Sequence, residues 1–115
     1  MEVYAFKTTT KVEEFNMVEH LVFFKLHEST SEQDKQHIIS TLHKLKEIPG
    51  ITEFSAGLNH SAEGKSKGFE VGMRIGFQDR AALDSYLPHL LHTSTIDGIR
   101  HHFADVFVFD YTWGA

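Results

Sequence analysis

Residues Val18 to Leu26, VEHLVFFKL, are dense in β-branched and aromatic side chains, a composition that suits a strand. Alternation places Val18, His20, Val22, Phe24 and Leu26 on one face and Glu19, Leu21, Phe23 and Lys25 on the other. Large apolar groups stand on both faces, so neither suits water. Ser29-Thr30-Ser31 then offers helix N-caps, with Glu32 three residues past Ser29 as a capping-box partner. Ile38, Leu42 and Leu45, flanked by Ile39 and Ile48, form the apolar stripe of that helix. Pro49-Gly50 ends it.

Ile51 to Leu58 is a second, more weakly patterned strand. A polar, glycine-containing loop over residues 59–68 follows. The next strand, Phe69 to Gln78, alternates cleanly, with Phe69, Val71, Met73, Ile75 and Phe77 on one face. Asp79 caps a second helix through Ala82, Leu83, Tyr86 and Leu87. Pro88 should hold Leu87 extended and interrupt that helix. Ile96 and Ile99 suggest a short amphipathic turn around Asp97-Gly98, within the least patterned stretch, 89–104. Asp105 to Trp113 is the last strand. Its faces are Val106, Val108, Asp110 and Thr112 against Phe107, Phe109, Tyr111 and Trp113. The order β-α-β-β-α-β predicts an α+β, ferredoxin-like domain over residues 17–115, with both helices on one face of the sheet. Residues 1–16 read as an N-terminal extension.

Two helices cover only one face. Each large apolar group left in water forgoes roughly 1.5–3 kcal/mol of burial, and the first and last strands carry several on each side. A homodimer with sheets packed face to face resolves this. The alternative is that the extension or residues 91–104 cover the open face.

Composition narrows the function classes. The 115 residues fit one domain. A net charge of −5 with dispersed lysines and arginines provides no field for nucleic acid. The absence of cysteine removes disulfides, thiolate metal sites and Cys nucleophiles. The N-terminal MEVYAFKTTTKVEEF lacks the apolar run of a signal peptide, and no stretch approaches the ~20 apolar residues of a membrane helix. A cytoplasmic location is the expectation, with no membrane partner. Nine histidines are the compositional oddity. His27, His37, His43 and His60 read as solvated surface.

The segments VEHLVFFKL, the helix ending in IPG, EGKSKGFEVGMRIGF, YLPHLLH and VFVFDYT together resemble the stress-responsive α/β-barrel (Dabb) family, across about residues 17–113. The resemblance implies a ferredoxin-like protomer forming a dimeric α/β barrel. Family functions are diverse and mostly unassigned. They include a plant stress protein that forms stable oligomers and a plant polyketide cyclase, and related dimeric barrels include small monooxygenases. In the cyclase a histidine acts as base and a tyrosine as supporting acid. His92 falls on that histidine, Tyr86 on that tyrosine, His89 on a neighbouring pocket histidine and His20 on the first-strand histidine. Two positions depart from the pattern. Val71 stands where the cyclase has another histidine, and the usual His-Pro-x-His is His89-Leu90-Leu91-His92, with the proline ahead at Pro88.

The residues support this chemistry on their own terms. An imidazole takes a proton from carbon between two carbonyls, and a phenol stabilises the resulting enolate oxygen. The interior of a barrel lined by Phe24, Phe69 and Met73 would supply the enclosed apolar pocket such a step needs. The expected function is therefore a pocket for a small apolar or aromatic carbonyl compound, with catalysis at His92 and Tyr86. The competing readings are a cyclase-like acid–base enzyme, a monooxygenase-like enzyme, and a non-enzymatic stable oligomer in which His20 and Tyr86 simply pack. No metal set has recognised ligand spacing, and no feature requires haem or another cofactor.

Overall fold

A computed structural model describes residues 16–114. Strand β1 spans Asn16–Leu26, helix α1 Glu32–Leu42 with a following 3₁₀ turn at His43–Glu47, and β2 Ile51–Leu58. Strand β3 spans Phe69–Phe77, helix α2 Arg80–Tyr86, α3 Leu90–Ile99 with a 3₁₀ turn at Arg100–His102, and β4 Phe103–Gly114. The extension expected before residue 17 lies outside the described residues, apart from Asn16, which pairs with Gly114.

The sheet order is β2-β3-β1-β4, with every neighbour antiparallel. This is the α+β, ferredoxin-like arrangement, because each β-α-β crossover skips one strand position, held by β3 in the first and by β1 in the second. The core lies between sheet and helices. Val22, Phe24, Met73, Ile75 and Phe77 come from the sheet and Ile38, Leu42, Leu45, Leu83, Tyr86 and Ile99 from the helical layer. Strand β1 is central, so its alternate residues are buried under helices while the others face the uncovered side.

Four local expectations change. The N-cap of α1 is Ser31, whose hydroxyl accepts from the Asp34 N–H at 3.0 Å, and Asp34 completes the capping box. Ser31 and Asp34 satisfy that box with the same spacing expected of Ser29 and Glu32, two residues later. Leu87 is right-handed helical (φ −59°, ψ −45°), not extended, and its N–H still reaches the Leu83 carbonyl at 3.2 Å. The steric bias before proline yields here because the helical turn keeps its hydrogen bond and the interruption falls after Pro88 instead. The stretch around Asp97-Gly98 is the ten-residue helix α3, whose Thr95 and Ile99 are buried. Tertiary burial there outweighs the cost of Gly98 in a helix interior.

The fourth change concerns Phe69. Phe24 opposes Val71, but Lys25 opposes Phe69, so Glu70 is an extra residue in β3. The bulge turns Glu70 to the helix side, where Lys35 of α1 meets it at 2.8 Å. Phe69 moves to the open side beside Phe23 and Phe107. The face that strict alternation has it share with Val71, Met73, Ile75 and Phe77 is lost for that reason.

The open face is not closed by residues 91–104, since α3 packs in the helical layer against α1. A polar network crosses it. The Arg74 guanidinium donates to both oxygens of Glu19 at 2.9 and 3.1 Å and to Glu53 at 2.9 Å, and the Trp113 indole N–H donates to Glu19 at 2.8 Å. Burial pushes the Glu19 carboxyl up, but the Arg74 and Trp113 hydrogen bonds and the Arg74 charge outweigh it and hold it below the ordinary range. No helix of the described residues is long and apolar enough to cross a membrane.

Candidate functional site

Strand β4 extends past the edge of the helical layer, and a cavity of about 330 Å³ opens under it. Val22, Phe24, Met73, Val106 and Val108 give it an apolar lining, while His20, His92, Arg100 and Asp110 supply the polar groups. Its size and few polar groups match what a small-molecule site needs.

His20 enters from β1, where it is buried. Its Nδ1 lies 2.6 Å from Asp110 Oδ1, directly across the β1–β4 pair. A carboxylate only accepts, so Nδ1 carries the hydrogen and Nε2 is left as the proton acceptor of the neutral ring. His92 is placed by the break at Pro88. The Leu87 carbonyl would accept from the Leu91 N–H in a continuous helix, but that N–H donates to His89 Nδ1 at 3.1 Å. His92 Nδ1 takes up the orphaned carbonyl at 2.8 Å, which likewise leaves Nε2 free.

Tyr86 packs between the two rings, 5.6 Å from His20 and 4.4 Å from His92, centre to centre. It is fully buried and its hydroxyl has no hydrogen-bond partner among the described residues. Burial pushes the phenol well above its ordinary range, so it stays protonated and can only act as a donor or weak acceptor. An unpartnered buried hydroxyl costs on the order of 1–3 kcal/mol.

Of the residues expected in the site, His20, Phe24, Met73 and His92 border this cavity, and Tyr86 lies directly behind the two histidines. His89 does not join them: it is the exposed N-cap of α3. Phe69 and Val71 border a second cavity, of about 470 Å³, together with Phe23, Gly57, Gly72 and Phe107. His43, expected on the surface, is half-buried against Phe54 at 5.0 Å. Asp110 was missed. The signal was a lone carboxylate on a strand face otherwise holding Val106, Val108 and Thr112, but its partner is set by strand pairing. Among the described residues no group of three His, Asp or Glu side chains is placed to hold a metal ion.

The frame is shared with known proteins. A crystal structure of a dimeric ferredoxin-like protein of unknown function from Jannaschia sp. CCS1 is 29% identical, with 83% of this chain and 97% of that one covered and a TM-score of 0.69. A Dabb family protein with a ferredoxin-like fold from Mesorhizobium loti is 26% identical, covering 84% and 95%, with a TM-score of 0.67. The hydroxynitrile lyase of Passiflora edulis, 19% identical, covers 85% and 94% with a TM-score of 0.76, a likeness of fold alone. No protein of curated function matches the chain. The profile of the family described as the Stress responsive A/B Barrel Domain matches residues 18–113, nearly the whole of the described fold. The chain belongs to the Dabb, stress-responsive A/B barrel, family.

Proposed function

We propose that the protein is a homodimer of face-to-face sheets in which each protomer binds a small apolar or aromatic carbonyl compound, with proton transfer at His92 and Tyr86. One observation carries the site: beside an apolar cavity two imidazoles, each holding a partner through Nδ1, pack on a protonated phenol whose hydroxyl has no partner among the described residues. In this reading the ligand body lies on Val22, Phe24, Met73 and Val108. His92 Nε2 removes a proton from the carbon next to the carbonyl, and the electron pair moves onto the carbonyl oxygen as an enolate. Tyr86 lies behind the two rings and outside the cavity's lining, so a ligand oxygen reaches it only by parting them; one that does so gives its hydroxyl the missing partner, worth most when that oxygen is charged. Asp110 holds the His20 ring in place through the Nδ1 hydrogen bond. The homodimer is supported by the exposed aromatic residues of β4 and by relatives described as dimeric.

The test uses benzoylacetone, whose central carbon lies between two carbonyls. At ~100 times its dissociation constant it should add about 2.7 kcal/mol, several degrees of melting temperature. In heavy water the wild type should accelerate deuterium uptake at that carbon, and His92→Gln should lower the rate by about 10²–10⁴-fold. Tyr86→Phe should melt at the same temperature or slightly higher without ligand, since it removes an orphaned hydroxyl, yet bind more weakly. No stabilisation by benzoylacetone, phenols or a hydroxynitrile, or unaltered binding in both variants, would sink this function.

A further inference from the structure

The cavity under β4 is a trough with three walls that run side by side. His20, Val22 and Phe24 of β1 line it, and so do their partners across the strand pair, Asp110, Val108 and Val106 of β4. Each of these runs covers about 13 Å. The third wall is α3 with its C-cap. His92, Ile96 and Arg100 recur there at i, i+4 and i+8, which brings them to one side of the helix over about 12 Å. The two ends differ in chemistry. At one, the His20–Asp110 pair and His92 gather around Tyr86. At the other, Phe103 stacks on Phe24 at 4.5 Å, and Arg100 precedes it by one 3₁₀ turn. Between the ends the lining is apolar.

We propose that Arg100 is a specificity-determining residue, which takes the carboxylate of an acidic carbonyl compound whose reacting carbon lies at His92. This rests on the ligand pocket proposed above and names the class of ligand. Arg100 is the only lysine or arginine in the lining, so the far end alone carries a fixed positive charge. Asp110, at the histidine end, repels a carboxylate, and the two charges together give an acidic ligand one orientation. The side chains take up part of the span, which leaves room for an aromatic ring between carbonyl and carboxylate. The guanidinium is positioned but not saturated. Its Nε and Nη2 donate to one Asp97 oxygen at 3.3 and 2.7 Å, and three of its five N–H donors remain for a two-oxygen acceptor. Asp97 itself does not line the cavity. The pair is about two-thirds exposed on both sides and contributes little to folding, so removing Arg100 probes recognition rather than stability.

The test compares benzoylacetone with the same diketone bearing a para-carboxyl group, by isothermal titration calorimetry at about pH 6.5, where a carboxylate is ionised. The acid should bind the wild type about tenfold more tightly, a modest gain because Asp97 shares the charge and the rim is exposed. The neutral para-carboxamide, equal in shape, should bind like benzoylacetone. Arg100→Gln should bring acid and amide to within about twofold of each other, and Arg100→Lys should keep part of the preference. Circular dichroism melts check that both variants fold. A wild type that binds acid and amide alike overturns this role of Arg100 and leaves the pocket standing, as does a preference that survives Arg100→Gln. A wild type that binds none of the three compounds overturns the pocket itself.

Discussion

On the helix side of the sheet Phe24 and Phe77 keep 2% or less of their surface in water, while on the other side Phe107 and Phe109 keep about half. All four are phenylalanines on strands of one sheet. What separates them is which element crosses above. The β-α-β crossovers place every helix on one side, and even there the layer stops short of β4. The covered side therefore gains a core and, where the cover ends, a cavity. The open side gains an apolar surface with a charged network set into it. One face is finished by the helices, and on the other the described residues leave the aromatic side chains of β4 exposed.

Substitutions of known cost can sharpen that contrast. Phe24→Ala, in the covered core, should cost about 3–5 kcal/mol of unfolding free energy, measured by urea denaturation. Glu19→Gln should cost about 1–3 kcal/mol at neutral pH, because the replacement accepts less strongly from Arg74 and Trp113. Its pH dependence has a definite sign. A carboxyl held below its ordinary range in the folded state contributes stability above that range and loses it as pH falls through the folded value. Wild-type stability should thus drop in acid more steeply than that of Glu19→Gln, and parallel curves would show that the network carries no linkage. Phe109→Glu should change protomer stability by less than about 0.5 kcal/mol while abolishing dimerisation in light scattering. A large loss of protomer stability there would mean that the open face is already covered within the chain.

Much of this contrast is legible along the chain. VEHLVFFKL and DVFVFDYTW show two-faced strands, and that alone implies a sheet too apolar for one layer of helices. The four strands and the helix through Ile38 and Leu42 follow from periodicity. The stretch 89–104 does not, because Gly98 and a run of hydroxyl residues obscure a helix that is stabilised by burying Thr95 and Ile99. The candidate site is half legible. Its histidines and tyrosine stand out by chemistry and by family resemblance, but His89 caps a helix and Phe69 is turned away by the Glu70 bulge.

By itself the sequence determined the element order outside 89–104, the apolar character of both faces of the first and last strands, and the residue types available for proton transfer, because these depend on local periodicity and side-chain chemistry. Only the tertiary structure decided that His20 meets Asp110, that His92 occupies the carbonyl freed at Pro88, and that His92 and Arg100 border one cavity. Those relations depend on strand register and on helix ends packed against the sheet, which join residues up to 90 positions apart.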